Sequence, residues 1–213
     1  MQSPVAKEGI PFIAIFILVA LLGSWLFPHP LVMAPLWVLA LWCIWFFRDP
    51  DRESDAAAHA VIAPADGVIV AIREVEQAPL SGEPARLVSI FMNVFNVHVN
   101  RAPVAGKVTK LAYHPGKFVN AALDKASTEN ERMELLMETP NGTKLPFVQV
   151  AGLVARRIVC RVGEGAELER GERFGLIRFG SRVDVYLPLD AKVEVNLGEK
   201  TVAGSSAIAH LES

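Results

Sequence analysis

Near its C-terminal end the chain reads Thr201-Val-Ala-Gly-Ser-Ser-Ala-Ile-Ala-His-Leu-Glu-Ser213, which sets Gly204 directly before the hydroxyl of Ser205. Glycine has no Cβ and reaches backbone conformations closed to other residues, so a neighbouring hydroxyl can approach its carbonyl. Attack by the Ser205 Oγ there turns the amide into an ester. Elimination and loss of ammonia would then leave a ketone at the start of a new chain. A Gly-Ser pair is also an ordinary turn, so other residues must decide. Asp66 lies in Ala63-Pro-Ala-Asp-Gly67, where Pro64 stiffens the approach and Gly67 turns tightly; its carboxylate either aims inward or bonds its own backbone. His98, in Phe95-Asn-Val-His-Val-Asn-Arg-Ala-Pro103, falls on a predicted strand that would put Asn96 and Asn100 on the same face. Imidazole there could move a proton near neutral pH, or be an exposed strand histidine. Tyr113-His-Pro-Gly-Lys-Phe-Val-Asn120 adds His114, with Lys117 and Asn120 available to an anion; a plain polar loop explains it equally well.

These residues need a frame. At 213 residues and 52% hydrophobic, the chain fits one ordinary domain plus an apolar appendage. A net charge of −2 gives no basic field for nucleic acid. Cys43 and Cys160 lack metal-ligand spacing and read as reduced structural thiols. The appendage is Ile10 to Phe27 and Leu31 to Phe47, two uncharged runs interrupted by Pro28-His29-Pro30. Each only just matches a hydrocarbon core of about 30 Å, so spanning and deep interfacial insertion both remain open. Lys7 precedes the pair, Arg48 and Arg52 follow it, and the joining loop has no Lys or Arg. That bias places both ends in the cytoplasm, with the domain after residue 50 on the cytoplasmic face of the cell (inner) membrane. A signal peptide is the rival, opposed by the second apolar run and the lack of a small-residue cleavage site.

Arg48-Asp-Pro-Asp-Arg-Glu-Ser-Asp55 has the character of a boundary linker. From Val61 onward, short β-rich runs recur: 68–72, 86–91, 107–111, 147–150, 157–162, 174–179 and 182–187. Asp66-Gly67, Asn141-Gly142 and Gly163-Glu-Gly165 supply turns between them. Arg182-Val-Asp-Val-Tyr alternates as a half-buried strand should, and only Glu129 to Met137 carries a helical pattern. The expectation is mainly β: a compact β-sandwich or barrel over residues 51–213, preceded by an apolar helical hairpin over 1–50.

In order along the chain stand Pro-Ala-Asp-Gly, His-Val-Asn-Arg-Ala-Pro, Tyr-His-Pro-Gly-Lys-Phe, Glu-Asn-Glu-Arg (129–132), Gly-Glu-Arg-Phe-Gly-Leu-Ile-Arg-Phe-Gly-Ser (171–181) and the terminal Gly-Ser. This series resembles the phosphatidylserine decarboxylase proenzymes, most closely their short bacterial and archaeal branch, across the whole domain after the hairpin. The resemblance implies self-cleavage between Gly204 and Ser205 into a large chain (1–204) and a small chain (205–213) that stay associated. It also implies a covalent pyruvoyl group derived from Ser205, with no metal and no free cofactor. The pyruvoyl ketone would condense with the amine of phosphatidylserine as a Schiff base and take up the electron pair released with carbon dioxide, giving phosphatidylethanolamine. His98 would return the proton. Longer members carry a second histidine where this chain has Arg101, and in them it joins an Asp-His-Ser processing set. A guanidinium is a poor base, so His98 or His114 would take over, and Arg101 would hold a phosphate or carboxylate beside Lys117 and Asn120. Asp66 would serve the processing base.

Two other classes remain: a membrane-anchored β-sandwich binding or carrier module without self-cleavage, and a serine hydrolase using Ser205, for which no Gly-x-Ser-x-Gly elbow is present. Neither acyl-chain preference nor association into a homo-oligomer is legible.

Overall fold

The two apolar runs fold as helices, α1 (Ile10–Leu26) and α2 (Pro30–Phe46), of 17 residues each. Pro30 opens α2 at a position where its missing N–H costs nothing, and the His29 ring accepts from Leu31 N (3.3 Å), capping the turn. Across the pair Trp37 Nε1 donates to Ser24 Oγ (3.2 Å), and a side chain at Gly23 would strike Leu36, so the two helices meet closely at that level. Elsewhere they expose large apolar side chains, among them Leu18, Leu22, Trp25, Leu31 and Leu41. The stretch Lys7–Leu26, 20 residues, is long and apolar enough to cross a membrane by length and composition; Pro30–Phe46 is shorter.

This computed structural model describes residues 4–57, 59–122, 129–153, 157–178 and 180–212. Phe179, at the end of an expected strand, and Ser213 lie outside them. The backbone divides into two units, Met1–Asp51 and Arg52–Ser213.

The second unit is built of strands. β2 (Gly67–Val75), β3 (Ala85–Met92), β5 (Gly106–His114), β6 (Arg132–Glu138), β7 (Lys144–Ala151), β9 (Glu167–Leu168), β11 (Ser181–Leu187) and β13 (Lys200–Thr201) make one antiparallel sheet, ordered β13-β2-β3-β11-β7-β6-β5-β9. Two three-stranded sheets accompany it. In one, β14 (Ala207–His210) lies between β1 (Ala60–Ile62) and β12 (Lys192–Val193); in the other, β10 (Arg173–Ile177) lies between β4 (Val99–Arg101) and β8 (Ile158–Cys160). One apolar cluster joins all three sheets, with Ile90, Phe147 and Val185 from the large sheet, Phe174 from β10 and Val61 and Ile208 from β1 and β14. Phe147 and Phe174 meet edge to face, ring centroids 5.1 Å apart. Each fully buried side chain of this size contributes about 1.5–3 kcal/mol.

Two local expectations change. Residues 132–138 are a strand rather than a helix: β6 pairs with β5 on one side and β7 on the other, and those two ladders satisfy its backbone. Strand β11 keeps its alternation, but all seven residues are buried. Val183, Val185 and Leu187 face the main core, while Arg182 and Asp184 form a buried bidentate pair (2.8 and 3.0 Å) and Arg182 also donates to Ala121 O (3.0 Å). Pairing lets a polar face go under cover. The Asn141-Gly142 turn forms as expected between β6 and β7, with Gly142 at φ 82°.

Candidate active site

Between β13 and β14 the chain makes a tight turn. Ser205 N and Ser206 N both donate to Val202 O (3.1 and 3.0 Å), and Ser206 Oγ accepts from Val202 N (3.0 Å). Gly204 sits inside the turn at φ 77°, a left-handed conformation that costs other L-residues roughly 1–2 kcal/mol. A Cβ built there would lie 2.6 Å from Arg101 Cδ, so the position excludes a side chain sterically as well. Ser205 follows, half-buried, its Oγ donating to Glu53 O (3.1 Å).

The peptides around this bond are held from two directions. Asp66, buried just before β2, accepts at Oδ1 from Ala203 N (2.8 Å). Both Asp66 oxygens also take Arg52, at Oδ1 through Nη1 and at Oδ2 through Nη2 (2.9 Å). Nη1 of Arg52 reaches on to Ala203 O (2.9 Å). Ala203 is thereby fixed at both its N–H and its C=O, one residue before the Gly204–Ser205 peptide. On the other side Ser54 Oγ donates to Ser205 O (3.1 Å). Arg101, on β4, is buried; its backbone N donates to Pro64 O (2.9 Å) and its Nη1 to Gly171 O (3.0 Å), with its side chain against Gly204. A buried cation beside the Gly204 peptide stabilises negative charge there far more than it would in water.

Gly204, Ser205, Asp66 and Arg101 thus share one place. Asp66 bonds Arg52 and Ala203 N, and neither His98 nor His114. His98 precedes β4 rather than lying on it, because Asn96 belongs to a turn in which its Oδ1 accepts from Asn93 N (2.9 Å). His98 is buried, and its Nδ1 lies 3.0 Å from Asn96 O, a carbonyl that can only accept, so Nδ1–H is the donor. Asn100 is committed to Gln149 Nε2 (2.8 Å) and the Met92 sulfur (3.7 Å). His114 ends β5 beside Glu134 (3.3 Å), exposed Lys117 pairs with Glu129 (3.5 Å), and Asn120 accepts from Ala122 N (3.0 Å). None of those bonds reaches the 202–206 turn. Among the described residues no group of three His, Cys, Asp or Glu side chains is placed to hold a metal ion. Burial pushes the Cys160 thiol up, which leaves it a poor nucleophile at neutral pH.

A model of the phosphatidylserine decarboxylase family matches residues 39–209. The chain belongs to that family. It is 68% identical over 208 residues to a phosphatidylserine decarboxylase proenzyme of Magnetococcus marinus, covering 98% of this chain and 95% of that one. A phosphatidylserine decarboxylase proenzyme of Burkholderia ambifaria is 52% identical over 212 residues, covering 98% and 96%. Membership makes this chain an enzyme of phospholipid metabolism, and both relatives are proenzymes. Arg52 and Ser54 are the members of this site that sequence reasoning missed. Their partners are 14 and 151 residues away, and no local spacing marks them.

Proposed function

We propose that this chain is a precursor that cleaves itself between Gly204 and Ser205, and that the two-chain product decarboxylates phosphatidylserine to phosphatidylethanolamine. The observation that carries the reading is the Gly204–Ser205 peptide: a left-handed glycine with no room for a Cβ, a hydroxyl on the next residue, and Arg52, Asp66 and Arg101 packed around it. These residues fit the formation of a pyruvoyl group from Ser205. Ser205 Oγ adds to the Gly204 carbonyl carbon, the C–N bond breaks, and the amide nitrogen takes the hydroxyl proton, so the ester forms without net change in charge. Loss of the Ser205 Hα and of the ester C–O bond releases Gly204 as a carboxylic acid; water then replaces the amine, which leaves as ammonia. Arg101 packs against Gly204, where its charge would stabilise the negative charge that develops on that residue's carbonyl, while Asp66 and Arg52 hold Ala203 so that the turn stays closed.

In turnover the pyruvoyl group supplies a ketone for the substrate amine and draws off the electron pair left when carbon dioxide departs. The chain's own residues position and protonate. His98 returns the proton to Cα through Nε2, with Nδ1 held by Asn96 O. Lys117, Asn120 and Arg101 are the candidates to hold the anionic headgroup, and His114 is the alternative to His98 as base or acid. The small chain stays in place as the central strand of its sheet, with ladders to β1 and β12. The apolar helices hold the enzyme at the inner face of the cell membrane, with Lys7 and Arg48 on the cytoplasmic side.

Intact mass of the purified wild-type protein tests the reading. The expected result is two chains, 1–204 and 205–213, the smaller carrying a ketone that borohydride reduces. An active protein with one uncleaved chain and an ordinary Ser205 would overturn it, and would favour a hydrolase or a binding module.

A further inference from the structure

The segment between the apolar helices and β1 looks like a linker in sequence, yet in the structure it is wrapped against the reacting bond. Arg52 grips Asp66 with both guanidinium nitrogens and also holds Ala203 O (2.9 Å). Glu53 offers its carbonyl to Ser205 Oγ (3.1 Å), and Ser54 Oγ donates to Ser205 O (3.1 Å). Three consecutive residues therefore touch Ala203, the attacking hydroxyl and the carbonyl beyond it. The segment is itself pinned: Arg170 donates from Nη2 to Ala56 O (2.9 Å) and from Nη1 to Ala57 O and Ala60 O. The Arg52 and Asp66 side chains retain only 13% and 11% of their exposure. Such a screened, bidentate pair is unlike a surface ion pair, whose geometry water and salt loosen.

We infer that Arg52 is a positioning residue for self-cleavage, and that residues 52–54 form a clamp which holds the Gly204–Ser205 peptide in its attack geometry. The inference rests on the self-cleavage reading. Arg52 acts through others: it aims Asp66 at Ala203 N and fixes Ala203 O, so the carbonyl carbon of Gly204 stays within reach of Ser205 Oγ. Glu53 O orients that hydroxyl without competing as a nucleophile, and Ser54 restrains the far side of the scissile bond. Where chemistry needs two groups in one place, restraint of this kind governs the rate.

The test follows first-order cleavage of freshly translated full-length precursor on gels, for wild type, Arg52→Ala, Arg52→Lys and Ser54→Ala. Thermal melts are compared with that of uncleaved Ser205→Ala. Arg52→Ala should cleave about tenfold more slowly or worse, as loss of a charge-assisted hydrogen-bond set implies. Low, non-denaturing guanidinium should restore cleavage, and equimolar urea should not; Arg52→Lys should recover part of the rate. Arg52→Ala that melts normally and cleaves at the wild-type rate overturns the inference. So does slow cleavage that neither guanidinium nor the lysine variant improves, because that pattern marks a merely structural residue. If Arg52→Ala fails to fold, the milder variants decide: both slower than wild type supports the clamp, and both at the wild-type rate removes it. A wild-type chain that never cleaves defeats the self-cleavage reading instead.

Discussion

Replacing Gly204 by alanine adds one methyl group to the residue whose carbonyl the proposed cleavage attacks. Two costs follow from the structure. The residue must hold φ 77°, which is worth roughly 1–2 kcal/mol against an L-residue. Its Cβ would also stand 2.6 Å from Arg101 Cδ, and buried Arg101 is tied to Gly171 O, so relieving the clash disturbs the guanidinium; overpacking of this kind costs about 1–3 kcal/mol. If both fall on the cleavage-competent turn, its population drops by about 2–5 kcal/mol, which slows processing roughly 30-fold to a few thousand-fold. Gly198→Ala is the matched control: φ is 83° and a Cβ there meets nothing within 4 Å, so it carries the backbone cost away from the site and should process almost normally. The assay is the first-order conversion of precursor to large chain on a gel, with a melt to show that each variant folds. A Gly204→Ala precursor that cleaves as fast as Gly198→Ala would refute the argument that this turn is the reactive conformation.

His98→Ala should lose about 10²-fold or more of decarboxylase activity per cleaved molecule, as expected for a missing general acid; wild-type turnover by cleaved His98→Ala would transfer the role to His114. Asp66→Ala should instead block processing, read as persistent precursor, because Ala203 N and Arg52 both lose their shared anchor. Washing membranes with alkaline carbonate should leave the full-length protein in the pellet and detergent should release it, whereas release by salt alone would reduce the apolar helices to a peripheral contact. Tyr186 gives a pH prediction. Burial, then the charge of Asp184, raises its folded pKa, so above the ordinary tyrosine value of about 10 the unfolded chain sheds a proton that the folded one keeps. Stability therefore falls as pH rises beyond that point, and urea melts of Tyr186→Phe should show a shallower alkaline loss than wild type.

The β character was legible because turn residues bracket each apolar run, as at Asn141-Gly142. Residues 132–138 misled for a physical reason: Leu135, Leu136 and Met137 are consecutive and all buried, so the strand carries no two-residue alternation to read. Strand β11 kept its alternation yet hid its polar face, since Arg182 and Asp184 neutralise each other and sequence pattern records polarity rather than pairing. Within the site, the residues of the Gly204–Ser205 turn and Asp66 were visible as local chemistry. Arg101 stood out as a departure from the longer relatives, but its position against Gly204 depends on the register of β4 with β10 and on Pro64, which no spacing encodes. Arg52 was hidden by composition, because a charged, proline-containing stretch reads as solvated linker wherever its partners lie far along the chain.

Under the proposed cleavage, the place of β14 bears on the lifetime of the two-chain product. Before cleavage, the strand from Ala207 to His210 is tethered to β13 by a short turn, which gives it a local concentration in the millimolar range or above. If the proposed cleavage occurs, the same ladders to β1 and β12 would hold a free peptide. Once lost by unfolding, that peptide must be recaptured from bulk solution; at about micromolar protein the difference is on the order of 4 kcal/mol. A precursor would fold and refold as one chain, whereas a cleaved product would regain its native state by a step that dilution weakens. The durability of the cleaved form would then depend on the barrier to releasing one central strand.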